Sequence, residues 1–195
     1  MPRIAIEGKS GLEALAEIDA AVARLKAKGA SRIVIGGHSF GANAALAYGA
    51  TRDGIAGVMV LAPGHSPDIQ AEFFSASVNK AKAMIAEGRA ESFAKFDDMN
   101  QGRTKEVDMR ARVYLSYFDP QGLGAMSLTA PKLRAGSALL LLIGDQDRWF
   151  ERAKSVIFDK ASADPRSRYV AIASNHKETP KDGIQDILAW LKRFE

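Results

Sequence analysis

Residues 32–43 read RIVIGGHSFGAN, a β-branched apolar run that ends in glycines and hands over to the small helix formers of GANAALAYGA, residues 41–50. Inside it lies Gly37-His38-Ser39-Phe40-Gly41, a G-x-S-x-G pattern. This pattern carries chemistry in one setting only, a strand that turns sharply into a helix and holds the serine at the turn. By itself, a match this short is as readily a tight glycine turn with the serine as a helix cap. The rest of the chain has to decide between the two.

Outward from the turn, apolar strands alternate with amphipathic helices. Residues 12–28 place Leu15, Ile18, Val22 and Leu25 on one helical face, ahead of Gly29. Residues 55–63, IAGVMVLAP, form a buried strand that Pro63 stops. SALLLLIGDQD, residues 137–147, is a strand leaving at Gly144, and residues 149–158 fit a helix. SRYVAIASNH, residues 167–176, is a further strand. A last helix starts near Thr179, with Thr179 as N-cap, Pro180 at N1 and an apolar stripe of Ile184, Ile187, Leu188 and Leu191 beside Trp190. Such alternation predicts a mainly parallel sheet covered on both faces, a three-layer α/β/α fold forming one domain over residues 1–195.

Residues 66–135 differ in texture, being more polar yet rich in aromatics: Phe73, Phe74, Phe93, Phe96, Tyr114, Tyr117 and Phe118. The pattern predicts a helix over 71–88, a short helix and turn over 91–103, and another helix over 105–118 before Asp119-Pro120. The segment reads as a helical, lid-like insertion in the α/β core. No residue within it takes a role from sequence alone.

The composition narrows the function classes. With 195 residues there is enough chain for a sizeable core, and 47% hydrophobic with 26% charged residues is ordinary globular composition. The formal charge of +4 is small and spread out; Arg110, Arg112, Lys132 and Arg134 come nearest to a patch and read as solvated surface, not a nucleic-acid footprint. There is no cysteine, which removes disulfide and thiolate chemistry. No window reaches the length of a membrane span, and the N-terminus has no secretory h-region, so the chain as given is expected in the cytoplasm. An upstream signal peptide would move that expectation to a secreted or periplasmic protein.

Two loops supply the partners that a serine nucleophile needs. Asp145 and Asp147 follow the strand ending at Gly144, and His176 follows the last strand. Serine, acid, histidine is the chain order of the elbow architecture. Carboxyl ends of parallel strands are where such sheets gather catalytic groups. Histidine is the natural base near neutral pH, and an aspartate behind it fixes its tautomer. Taken alone, His176 would be a solvent loop histidine. The backbone N–H of Phe40, at the start of the helix, is placed to donate to an oxyanion. His38 and His65 read as pocket or support residues. The three histidines lack the short spacing of a zinc site, so neither metal nor cofactor is expected.

With these residues in view, IVIGGHSFGANAAL, LLLLIGDQDRWF and YVAIASNHKETPKDGIQDILAWL resemble the α/β-hydrolase family, in particular its compact serine esterases and lipases. The resemblance implies a triad of Ser39, His176 and an acid within 145–147. The family spacing, three residues beyond the strand-closing glycine, selects Asp147 and leaves Asp145 to brace the loop. It covers about residues 1–65 and 136–195. One departure stands out: only about 30 residues precede the elbow strand, where the family has several strands and its second oxyanion loop. The core therefore reads as truncated at its N-terminal side. Either the chain is cut from a longer one, or a further subunit covers the open edge, as in a homo-oligomer. A lost oxyanion donor costs about 3 kcal/mol of transition-state stabilisation. The expected activity is hydrolysis of a small-molecule ester or related acyl substrate. The alternative is a non-catalytic hydrolase-fold protein that binds a ligand or partner.

Overall fold

The computed structural model describes residues 9–100 and 102–195. The RIAIEG segment, read as a short strand or irregular lead-in, lies outside the described residues. In chain order the elements are α1 (Gly11–Ala27), β1 (Val34–Ser39), α2 (Phe40–Thr51), β2 (Gly57–Pro63), α3 (Ala71–Ala86), β3 (Phe93–Asn100), β4 (Arg103–Arg110), α4 (Ala111–Phe118), α5 (Met126–Thr129), β5 (Ala138–Gly144), α6 (Phe150–Val156), β6 (Arg168–Ile172), α7 (Thr179–Asp182) and α8 (Ile184–Leu191).

A parallel sheet of four strands, in the order β1-β2-β5-β6, organises the fold. All seven residues of β5 are buried, as an unbroken apolar run in a parallel sheet requires. Its side chains alternate between two cores. Leu139, Leu141 and Ile143 meet α1, α2, α5 and α6 through Leu15, Leu46, Met126 and Ala153. Leu140 and Leu142 face Ile187, Trp190 and Phe194 on the other side. Each buried leucine contributes about 1.5–3 kcal/mol by leaving water. The arrangement is a three-layer α/β/α sandwich.

The C-terminal helix departs from the expected pattern. It is two short helices joined at Gly183, and Thr179 lies within the first of them. The Thr179 hydroxyl donates back to the Asn175 carbonyl at 2.7 Å instead of capping the helix. Ile184 and Leu188 are exposed, because the helix meets the sheet through Ile187, Trp190 and the half-buried Leu191.

The segment over the carboxyl ends of the strands is not wholly helical. Residues 93–110 form an antiparallel hairpin, with Phe96 opposite Val107 and Lys95 opposite Asp108. Phe96, Val107 and Met109 recur at the strand period, and Gly102, at φ 74°, supplies the left-handed turn residue. Only Ala111–Phe118 of the expected 105–118 helix is helical. Hairpin and helices share a core of their own, in which Tyr114 stacks between Phe96 and Phe118 with ring centroids 4.3 Å apart on either side.

Charge on the surface is dispersed by pairing. Arg110 and Arg112 face Glu91, Arg112 also reaches Glu13 at 2.9 Å, and Arg134 meets Asp53 at 3.3 Å. Among the described residues, no helix is long and apolar enough to cross a membrane. Among them too, β1 is an edge strand, paired on one side only, with β2.

Candidate active site

Because all four strands run the same way, the loops after β1, β5 and β6 converge at one end of the sheet. Ser39 ends β1 and precedes α2 with φ 55° and ψ −121°, a conformation that costs a non-glycine residue about 1–3 kcal/mol. The surroundings hold it there. A Cβ on Gly37 would stand 2.0 Å from the Gly41 carbonyl oxygen, so only glycine lets strand and helix approach this closely. Gly41, expected to serve the same purpose, is different: a Cβ there meets nothing within 4 Å. Steric demand at the turn falls on position 37 alone.

The strand next door shifts register beside the serine. His38 pairs with Leu61 but Ser39 with Pro63, and the extra residue, Ala62, sits at φ 41°. This bulge brings Gly64 over the nucleophile. A Cβ at 64 would lie 2.6 Å from Ser39 Oγ and 3.3 Å from His176 Cε1. Sequence reasoning missed Gly64, since a glycine after Pro63 looks like ordinary turn punctuation.

Ser39 Oγ lies 2.9 Å from His176 Nε2, and His176 Nδ1 lies 2.6 Å from Asp147 Oδ2. The acceptor beyond Nδ1 is a carboxylate, so Nδ1–H donates to it and Nε2 is left to accept from the serine hydroxyl. Asp147 is buried, and its other oxygen accepts from the Trp149 N–H at 2.8 Å. Asp145 stands elsewhere: its Oδ1 accepts from the Ser174 N–H at 3.2 Å and ties the β5 loop to the β6 loop. The Ser174 hydroxyl in turn donates to Asp182 at 2.7 Å. The structure thus brings Ser39, His176 and Asp147 together and leaves Asp145 outside as a loop brace.

The other singled-out residues surround this chain of bonds. His38 Nε2–H donates to the backbone carbonyl of His176 at 2.8 Å and supports the histidine loop from below. Phe40 is the first residue of α2, so its N–H has no carbonyl one turn back and is free to donate outward. His65 is buried against Phe40, Phe74 and Phe118, and its Nε2–H donates to the Tyr117 carbonyl at 2.8 Å. Asn43 holds the His65 and Gly124 carbonyls through Nδ2, at 2.6 and 2.7 Å.

Burial pushes the His65 imidazole below its ordinary value, against the smaller upward pulls of the Tyr117 carbonyl, Asp98 and Asp68. An unfolded chain takes up this proton near pH 6.5 while the folded one stays neutral to lower pH. The stability held by neutral His65 is therefore present above that pH and is lost as pH falls through the window below it. The thermal midpoint of the protein is expected to drop as pH falls below about 6.5, and to drop less steeply in His65→Gln, which keeps a donor but cannot be protonated. Equal slopes in calorimetric scans of the two proteins would assign the pH dependence to other groups.

A cavity of about 700 Å³ opens at Ser39, lined by Phe40, Gly64, His65 and Phe118 and walled by the hairpin through Asp98, Lys105, Glu106 and Asp108. Its size suits a small organic ligand. Lys105 and Asp98 pair within the wall at 3.2 Å. Among the described residues, no group of three or more histidine, aspartate or glutamate side chains is placed to hold a metal ion.

Comparison with known proteins gives a consistent result for the fold. Residues 7–182 match the sequence model of a family described as the alpha/beta hydrolase family. No curated protein sequence matches. Among solved structures, the chain is similar to a monoacylglycerol lipase of Paleococcus ferrophilus, with TM-score 0.66 and 19% identity over 95% of this chain and 76% of that one. A thermostable carboxyl esterase of Bacillus coagulans, solved with glycerol, gives TM-score 0.63 and 13% identity over 94% and 70% of the two chains. A metagenome-derived lipolytic enzyme gives 0.64 and 14% over 96% and 76%. At such identities these likenesses speak to the fold alone.

Proposed function

Because the chain belongs to the alpha/beta hydrolase family, we propose that it is a serine hydrolase that cleaves a carboxylic ester or a related acyl substrate through an acyl-enzyme. The observation that carries this reading is the continuous run of hydrogen bonds from Ser39 Oγ through both nitrogens of His176 to buried Asp147. Ser39 Oγ attacks the acyl carbon and its proton passes to His176 Nε2. The imidazolium so formed is stabilised by the Asp147 carboxylate. The oxyanion takes a hydrogen bond from the Phe40 N–H at the N-terminus of α2. His176 then gives its proton to the departing alcohol, leaving Ser39 acylated. Water repeats the sequence: His176 takes its proton, hydroxide adds to the acyl carbon, and Ser39 leaves with the proton returned.

The names of the similar lipases and esterase favour esters among the acyl substrates. A second reading, a hydrolase-fold protein that binds a ligand or partner without turnover, is favoured by one observation. Among the described residues no strand lies beyond β1, and none of them brings a loop from that side over Ser39 as a second donor. On this reading a second copy of the chain, or another partner, covers the edge of β1.

Partitioning separates the two. In the presence of methanol, phenyl and p-nitrophenyl acetates pass through one acyl-enzyme and are expected to give the same ratio of methyl acetate to acetate. A ratio that differs between the two esters would contradict the acyl-enzyme. Absence of turnover with binding retained would favour the second reading.

A further inference from the structure

Phe40 does more than offer its N–H. Its side chain lines the 700 Å³ cavity at Ser39 and also a second, narrow crevice of about 30 Å³ behind it. The crevice runs between α1 and α2, past Ala14, Leu15, Ala44, Ala47 and Leu123. Residues 40, 44 and 47 are spaced four and three apart, so they share one face of α2, and the small side chains at 44 and 47 leave a gap beside Phe40. That ring is held in place by two others, His65 at 5.1 Å and Tyr117 at 5.0 Å between centroids.

The geometry points to Phe40 as the residue that sets acyl-chain length: we propose that its ring is the partition between the catalytic cavity and an apolar channel able to take the alkyl chain of an acyl group. This inference rests on the serine-hydrolase reading of Ser39. Phe40 follows the nucleophile directly and is the residue common to the linings of the Ser39 cavity and the crevice. The opposite wall of the cavity mixes Met99, Val107 and Met109 with Asp98, Lys105, Glu106 and Asp108, so an alkyl chain laid along it would desolvate charged groups as well as apolar ones. With the ring in place, the crevice holds about 30 Å³ against the 700 Å³ of the catalytic cavity. The protein as built therefore favours short acyl groups, and removing the ring joins the two spaces.

The test compares kcat/KM for p-nitrophenyl octanoate and acetate in the wild-type protein, in Phe40→Ala, and in Phe40→Ala with Ala44→Leu. Each methylene newly buried is worth roughly fourfold. The octanoate-to-acetate ratio is expected to rise at least tenfold in Phe40→Ala and to fall back in the double variant, where the larger side chain introduced by Ala44→Leu fills the channel. Calorimetric binding of octanoate, which needs no turnover, is expected to tighten at least tenfold in Phe40→Ala and to weaken again in the double variant. Phe40→Leu, a milder truncation, gives the same direction if Phe40→Ala does not fold. An unchanged ratio and unchanged octanoate affinity in a folded Phe40 variant would overturn the inference, as would gains that Ala44→Leu leaves intact. If no ester is turned over at all, the hydrolase reading fails and octanoate binding alone decides on the channel.

Discussion

Asp147→Asn is expected to lower kcat by about 10⁴-fold and to leave KM nearly unchanged. The carboxylate is the acceptor that keeps the proton of His176 on Nδ1, at 2.6 Å. An amide in its place turns an NH₂ toward that nitrogen, the proton moves to Nε2, and the imidazole loses the lone pair that accepts from Ser39. The variant should fold, because an Asn oxygen can still accept from the Trp149 N–H. Asp145→Ala is its control. That side chain accepts only one long backbone bond, from Ser174 at 3.2 Å, so its loss costs about 1 kcal/mol of stability and little turnover. Measuring kcat and the thermal midpoint for both proteins checks the assignment. A large kcat loss confined to the Asp145 variant would reverse it.

Gly64→Ala is the second large effect, and it separates folding from activity. The backbone at 64 is open to alanine, since Gly64 is not among the residues with positive φ. The new methyl, however, stands 2.6 Å from Ser39 Oγ, within the hydroxyl's own space. The cheapest escape is rotation of the serine side chain, which takes Oγ away from His176 Nε2. A displacement of about 1 Å at the reacting atom costs on the order of 10²-fold. Gly64→Ala is therefore expected to keep its thermal midpoint within a few degrees and to lose at least about 10²-fold in kcat/KM. A fully active Gly64→Ala would mean that the bulge at Ala62 does not hold the glycine over the nucleophile.

Much of this site was legible from the order of its residues. In a parallel sheet, strand ends fall on one side, so residues directly after apolar runs 32–36, 137–144 and 167–173 had to meet. That logic places Ser39, an acid within 145–147 and His176 without any knowledge of the loops, and the spacing implied by the family resemblance singles out Asp147. The hairpin was hidden because residues 93–118 carry two periods in succession. Phe96, Val107 and Met109 follow the strand period, whereas Val113, Tyr114, Tyr117 and Phe118 follow the helical one, and no glycine or proline marks the change at Arg110. The exposure of Ile184 and Leu188 was hidden for another reason. Spacing finds an apolar face but not how wide a strip of sheet it covers, and α8 reaches it through Ile187 and Trp190, with Leu191 at the margin. Close approaches leave even less trace in sequence. Gly37 and Gly41 look equivalent around the serine, yet one is pressed against backbone and the other faces open space.

The central claim is that Ser39 is a nucleophile activated by His176. Its most direct measurement is covalent capture. The protein is incubated with a fluorophosphonate, digested, and the modified peptide is mapped by mass spectrometry. One equivalent of phosphonyl group is expected on the peptide containing Ser39, with no label in Ser39→Ala and labelling at least about 10²-fold slower in His176→Ala. A folded protein that stays unlabelled, or that takes its label on a serine other than Ser39, would contradict that claim.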